Sequence, residues 1–251
     1  MSEPTTRQEV LVTGAGRGIG RAIALRFAEA GARVFVNFFV NGEAAEKTAR
    51  DVEVRGGAAH LLQADLKDAA QIERMFGEVD RVAGRLDVLV HNAASGVLRD
   101  ALDITARQWD WVLSTNARPL LLATQHATRL MTAGGRIVTL SSLGSTRVIP
   151  GYAAIGVSKA ALESLTRYLA AELGPRGIAV NAVSAGAVDT GVWDLIPDGA
   201  RLLAQIRERT PSRRLVSVEE VAEAVFFLGG PMAGAIQGHV LVIDGGYSLL
   251  L

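Results

Sequence analysis

The run Thr13-Gly14-Ala15-Gly16-Arg17-Gly18-Ile19-Gly20 joins a short β-branched stretch to an amphipathic one. Glycines at such a junction let the backbone close on a pyrophosphate, whose charge then meets N–H groups and the positive end of a helix dipole. A glycine cluster alone also suits a tight turn. Linking the first strand to the first helix of an alternating chain, it reads as a dinucleotide site with Gly14, Gly16, Gly18, Ile19 and Gly20 as the cradle. The second strand ends Val36-Asn37-Phe38-Phe39-Val40-Asn41 and offers no carboxylate before Glu43, whereas an acid there normally grips the ribose hydroxyls of NAD. Arg17 can pair its planar fork with a ribose 2′-phosphate, or stand as a solvated loop residue; with Asn37 in place of an acid, the first reading makes NADPH the expected cofactor. Asp65, with Leu66 beside it, either accepts a hydrogen bond from the adenine amino group or caps the next helix.

Proton donors and nucleophiles are few. Only Lys47, Lys67 and Lys159 are lysines, against 23 arginines, and only Tyr152, Tyr168 and Tyr247 are tyrosines. The absence of cysteine excludes thiol catalysis, disulfides and iron–sulfur clusters, and the four histidines (His60, His91, His126, His239) lack metal-site spacing, so no metal is expected. The 26 basic and 26 acidic side chains cancel, which leaves no nucleic-acid footprint. The start of the chain is polar and no 18-residue uncharged run occurs later, so a cytoplasmic protein with no membrane contact is expected.

Holding these residues in place takes an α/β frame, and 251 residues, 49% of them hydrophobic, suffice for one large domain. Short β-branched runs at Val10–Val12, Arg33–Asn37, Ala59–Ala64, Asp87–Val90, Arg136–Leu140, Ile178–Val183 and Val240–Ile243 alternate with helical patterns. The helices are predicted at Ile19–Ala30, Glu43–Arg55, Ala69–Ala83, Ala106–Met131, Ala153–Leu173 and Val218–Leu228. The alternation predicts a single doubly wound α/β domain over 1–251, a seven-stranded parallel sheet with helices on both faces. From Gly191 to Leu215 the rhythm breaks with a tryptophan and two prolines, and long insertions of this kind carry function. That segment reads as a substrate lid with Trp193, Leu195, Ile196, Leu202, Leu203 and Ile206 as its apolar part. Its arginines (Arg201, Arg207, Arg209, Arg213, Arg214) either receive an acidic carrier protein or the phosphates of coenzyme A, or form a solvated helix face.

Taken together, Thr13–Gly20, His91-Asn92-Ala93-Ala94, Asn116, Ser141-Ser142 and Asn181–Thr190 resemble the short-chain dehydrogenase/reductase family over essentially the whole chain. The resemblance implies a Rossmann fold and an NAD(P)-dependent oxidoreductase that assembles as a homotetramer, and it adds Asn92, Ala93, Lys159, Gly186, Val188 and Thr190 to the cofactor site. One departure is informative. Four residues before Lys159, where most of the family has tyrosine, stands Ile155; the nearby tyrosine is Tyr152, seven residues before the lysine. That spacing is similar to the enoyl-acyl-carrier-protein reductase branch. The segments Asn92–Arg99, Trp109-Asp110-Trp111, Ser142–Ser145, Ile149–Glu163 and Leu165–Ala170 resemble enoyl-acyl-carrier-protein reductase III, an NADPH-dependent group. Other positions differ from the wider family: His91 replaces asparagine, Ala94 replaces glycine, and Ser184-Ala185-Gly186 lacks the usual proline.

The resemblance implies reduction of an enoyl thioester, carried on acyl carrier protein or coenzyme A. Hydride delivered to the β carbon drives charge onto the thioester oxygen, and Tyr152 is the candidate donor that stabilises the enolate. Lys159, on the same helix face at a rise of roughly 10 Å, would ease the phenol's proton and hold the nicotinamide ribose. Ser142 either contacts the substrate or satisfies backbone at the strand end, and Asn116 either holds a helix kink and a water near Lys159 or is structural. Tyr168 and Tyr247 read as structural, and the tail Leu249-Leu250-Leu251 as buried in a subunit contact. Two other readings stand beside this one: a carbonyl or 3-ketoacyl reductase, and a non-catalytic NADP(H)-binding sensor.

Overall fold

Seven strands lie in one parallel sheet: β1 (Glu9–Val12), β2 (Arg33–Phe38), β3 (Ala58–Gln63), β4 (Val88–His91), β5 (Gly135–Ser142), β6 (Ile178–Ala185) and β7 (Val240–Ile243), in the order β3-β2-β1-β4-β5-β6-β7. The computed structural model describes residues 7–132, 134–191, 193 and 198–250. Strand residues alternate between two helical layers. Val10, Val12, Val34, Val36, Val88 and Val90 pack with α1 (Gly18–Glu29) and α8 (Val218–Leu228). Leu11, Phe35 and Leu89 pack with α3 (Ala69–Ala83), α5 (Arg118–Leu130) and α6 (Ala153–Leu173) on the other side. Burial on both faces is why these strands read as unbroken apolar runs. The remaining helices are α2 (Gly42–Val54), α4 (Ala106–Asn116) and α7 (Gly199–Arg209).

Two expectations are corrected. The helix expected from Ala106 to Met131 is two helices, α4 and α5, which meet at Ala117. Pro119 lacks an N–H and its ring would crowd the carbonyl of Thr115 in a continuous helix; in the first turn of α5 neither matters. The cap of α3 is Asp68, whose carboxylate accepts from the Ala70 and Gln71 amides at 2.9 and 3.3 Å. Asp65 therefore does not cap that helix. Strand boundaries otherwise move by a few residues, and β5 and β6 run on to Ser142 and Ala185.

Strand order reverses between β1 and β4, and ligands of open parallel sheets bind at the strand C-termini beside such a switch. Thr13, fully buried just past β1, ties the two sides together. Its amide donates to Val90 O at 3.0 Å, and its hydroxyl accepts from the Asn92 and Ala93 amides at 2.9 and 3.0 Å. Among the described residues no helix is long and apolar enough to cross a membrane. Replacement of Thr13 by the isosteric valine leaves two amides unpaired and should cost roughly 2–4 kcal/mol in urea unfolding; a loss below about 1 kcal/mol would mean that another acceptor replaces the hydroxyl.

Candidate active site

The glycine loop leaves Thr13 and curls over the end of β1. Gly14 and Gly18 sit at φ 64 and 54, where a side chain is strained. A Cβ on Gly20 would come within 2.5 Å of Asn92 Nδ2, so α1 packs against the loop only as glycine. Arg17 occupies the N-cap of α1 without a side-chain cap, and no acidic residue follows in the first turn. The amides of Gly18, Ile19 and Gly20 therefore present the positive helix end to a ligand, and the loop fits a dinucleotide pyrophosphate. The Arg17 side chain is exposed beside it.

The other cofactor-site residues divide into shapers and walls. Asn37, at the end of β2, is 2% exposed and spends its amide on the backbone: Oδ1 accepts from Gly14 N at 3.3 Å, and Nδ2 donates to Leu62 O at 3.1 Å. Asn92 Nδ2 donates to Thr13 O and Gly14 O at 2.9 and 3.2 Å. Both asparagines thus help build the loop, Asn37 through its oxygen and nitrogen and Asn92 through its nitrogen. Asp65 accepts from Lys67 N at 3.0 Å and faces its ammonium at 3.4 Å, while Leu66 is buried. Ala93 lies against Gly14, Gly186 against Asp244, and Thr190 against Gly18; Val188 is buried and bridges to Val216. The segment after β6 thus reaches the phosphate loop.

Tyr152 is the N-cap residue of α6, and its ring lies in a slot between two glycines. A Cβ on Gly144 would meet ring carbons Cδ1 and Cε1 at 2.6 and 2.7 Å; one on Gly156 would meet Gly144 O at 2.6 Å. Burial pushes the phenol's pKa up, and the adjacent Ser142 hydroxyl pulls it partly back. The Ser142 Oγ is buried on the phenol's side and makes no hydrogen bond to the main chain, so it does not satisfy backbone at the strand end. Ile155, in the place usual for tyrosine, points instead at Gly96.

Lys159 is 6% exposed and donates to Leu140 O at 2.7 Å. Burial lowers its pKa to about 8, against the raising influence of Glu163. The expected easing of the Tyr152 proton by this ammonium is not what governs the phenol, where burial dominates. Glu163, one helical turn further on, accepts from Ser141 Oγ and Ser145 Oγ at 2.6 Å each and so clamps the residues on both sides of Ser142. The sequence reading assigned Glu163 no role; its position four residues after Lys159 on a buried face was the available signal. Asn116 is fully buried and holds the kink: Oδ1 accepts from Ser95 N at 2.8 Å, Nδ2 donates to Ser158 Oγ at 2.9 Å, and its carbonyl takes His91 Nε2 at 2.9 Å. Burial, with the Lys159 charge adding, lowers the His91 pKa to about 4, so the ring is neutral at neutral pH.

A cleft of about 380 Å³ opens beside Tyr152, between the 99–101 segment and the 144–157 stretch. None of the expected lid residues in the described part lines it. Trp193 donates to Val188 O at 2.9 Å, and Leu202, Leu203 and Ile206 form a half-buried face of α7. Leu195 and Ile196 lie outside the described residues. The arginines of this region are partly committed: Arg214 pairs with Glu220 at 2.6 Å, Arg201 with Asp198 at 3.7 Å, and Arg213 donates to Glu208 O. Arg209, Arg213 and Tyr247 line a separate hollow of about 430 Å³.

Residues 14–248 match the family model described as enoyl-(acyl carrier protein) reductase. The chain is 42% identical, over 97% of its length and 88% of the relative's, to a 1-cyclohexenylcarbonyl-CoA reductase of Streptomyces collinus. It is 37% identical, over 95% of its length and 97% of the relative's, to a 3-oxoacyl-(acyl-carrier-protein) reductase of Staphylococcus aureus. Among solved structures, a short-chain dehydrogenase/reductase from Serratia marcescens superposes with a TM-score of 0.91 at 37% identity, covering 98% of this chain and all of that one.

Gly144→Ala should displace the Tyr152 ring and lower kcat by about 10- to 100-fold while cofactor affinity changes by less than about twofold; unaltered kcat would show that ring position is irrelevant to turnover. His91 supplies a pH test. Its folded pKa of about 4 lies below the 6.5 of a free imidazole, so the folded state binds fewer protons between those values. Stability is therefore full above pH 6.5 and is lost as pH falls toward 4, by roughly 3 kcal/mol. In denaturant titrations at both pH values, His91→Asn should remove most of that difference; an equal loss in the variant assigns it elsewhere.

Proposed function

The chain belongs to the short-chain dehydrogenase/reductase family, in its enoyl-(acyl carrier protein) reductase group, and is an oxidoreductase that uses a nicotinamide cofactor; from that premise we propose that it reduces the 2,3 double bond of an enoyl thioester with NADPH. The observation that carries this reading is Tyr152 in its glycine slot beside a buried Ser142 hydroxyl that no backbone group engages, with Ile155 in the usual tyrosine position unable to donate.

Gly14, Gly16, Gly18, Ile19 and Gly20 would hold the pyrophosphate, with Ala93 and Thr190 beside that loop; Arg17 would meet the 2′-phosphate, and Lys159, Gly186 and Val188 would line the nicotinamide half. Arg17 and the lack of an acid at the end of β2 favour NADPH over NADH. When bound, the reduced nicotinamide supplies hydride to the β carbon of the substrate.

The protein's part is to receive the charge that then develops on the thioester oxygen. Burial keeps the Tyr152 phenol protonated, so it serves as a neutral hydrogen-bond donor whose bond strengthens as the oxygen becomes an enolate. Ser142 provides the second donor, because its buried hydroxyl lies beside the phenol and is bound to no backbone group. The N-terminus of α6 adds a positive field: no side chain caps it by a hydrogen bond and its first turn carries no acid. Glu163 and Asn116 act as positioning residues by fixing the Ser141–Ser145 stretch and the α4–α6 contact.

Assembly as a homotetramer is part of the same reading. It is supported by apolar side chains left exposed on the outer strand and tail, Val242, Leu249 and Leu250, and by Tyr168 on α6, whose 68% exposure suits a subunit contact better than the core.

Matched crotonyl and acetoacetyl thioesters, followed by NADPH and NADH oxidation, test the proposal. Faster turnover of the crotonyl substrate with NADPH is expected. Faster reduction of the acetoacetyl thioester would establish the ketoreductase reading that the Staphylococcus relative favours, and no turnover of either would favour a cofactor-binding sensor. Tyr152→Phe should lower enoyl reduction by about 100-fold without loss of cofactor binding.

A further inference from the structure

The cleft beside Tyr152 brings together groups that match one kind of molecule. The half-buried Tyr152 is one wall of it. Ile149, Val157 and Val148 expose apolar surface in the same cleft, Val148 to 98%. Arg99 and Arg147 line the same cleft with exposed side chains, and neither has a carboxylate within salt-bridge distance among the described residues. Asp100 also lines it and pairs with neither arginine, so the cleft keeps a net positive charge. The backbone fixes this arrangement, because Arg99 N donates to Gly151 O at 2.7 Å and residue 99 bridges to residue 152. The uncapped N-terminus of α6, through Ala153 and Gly156, opens into the same space.

We propose that this cleft binds the phosphopantetheine arm of the thioester substrate, with Arg99 and Arg147 holding its phosphate. The inference rests on the enoyl-thioester reading and names the recognition element of that site. Tyr152 for the thioester carbonyl, the Ile149, Val157 and Val148 surface for the methylenes and gem-dimethyl group of the arm, and the guanidiniums for its phosphate supply the groups that an acylated phosphopantetheine requires. Planar guanidinium forks suit a phosphate better than a point charge does, and both coenzyme A and acyl carrier protein carry this phosphate. The carrier contact expected from the arginines of α7 thereby moves to two arginines in the active-site wall.

The test compares crotonyl-phosphopantetheine with crotonyl-pantetheine, which lacks the phosphate. The wild-type chain should favour the former by about tenfold in kcat/KM, and the preference should shrink as salt rises from about 0.05 to 0.5 M. The R99A/R147A variant should bring the ratio to within about twofold of one, and R99K/R147K should restore part of it. A wild-type ratio near one, or a variant that keeps the wild-type ratio, overturns the proposal. The variant should also lose kcat/KM on both crotonyl-coenzyme A and crotonyl-carrier protein; a loss on coenzyme A alone would place the arginines on its nucleotide end and likewise overturn it. If the wild-type chain reduces no enoyl thioester, the functional reading fails separately. Calorimetric titration of unacylated 4′-phosphopantetheine into the protein–NADPH complex then decides: about tenfold weaker binding by the variant supports the arginine site, and equal or absent binding refutes it.

Discussion

The placement of one aromatic ring constrains the whole site. Tyr152 cannot occupy the N-cap of α6 unless Gly144 and Gly156 both lack a Cβ, since the first would strike the ring and the second the carbonyl that brings the β5 loop against the helix. Those glycines let the loop after β5 close on the start of α6, which in turn sets where Ser142 stands relative to the phenol. The tyrosine, the serine and the neighbouring cleft are consequences of the same close approach. Three residues further into the helix, Ile155 fills the space against Gly96.

Around that contact the polar groups are distributed in layers. Glu163 and Lys159 are each 6% exposed and one turn apart, and the charge of each offsets part of the cost of burying the other. Glu163 also satisfies two serine hydroxyls, and Asn116 uses its side-chain oxygen and nitrogen and its carbonyl to join the 95 segment, α6 and His91. Such fully connected sets hold loops at strand ends, where regular ladder bonding has run out. His91 is less fully satisfied: its Nδ1 finds no partner, and the ring stays neutral at the cost of acid sensitivity.

Much of the fold was legible because it depends on pattern. Strands buried on both faces write themselves as Val-rich runs, and a glycine loop between strand and helix has few other uses. The split at Ala117 was less visible, because the periodicity continues across it and only Pro119 marks the break. At the site, the identity of Tyr152 could be read from spacing, but its geometry could not. No local pattern says that Gly144 and Gly156 converge on one ring from two elements, or that Asn37 and Asn92 face inward to the loop instead of outward to a ligand. The arginines show the same limit. Five of them close together between 201 and 214 drew attention by density, yet Arg214, Arg201 and Arg213 are tied to Glu220, Asp198 and a main-chain oxygen. Arg99 and Arg147, 48 positions apart in sequence, share a cleft.

Three serines, Ser141, Ser142 and Ser145, lie at and just beyond the end of β5. Ser141 and Ser145 each give their hydroxyl to Glu163 at 2.6 Å, so the local structure plainly can satisfy buried hydroxyls where nothing else is asked of them. Ser142, between them, has a buried oxygen that bonds to neither Glu163 nor the main chain. An unsatisfied buried hydroxyl costs roughly 1–3 kcal/mol, and a small rotation of the chain toward Glu163 would not cure it without turning Ser141 out, since neighbouring strand residues point to opposite faces. The alternation of the strand thus forces a choice: one face feeds the carboxylate, the other feeds the phenol. Ser142 is on the phenol's side, where the bond it lacks is the one that a substrate oxygen would complete.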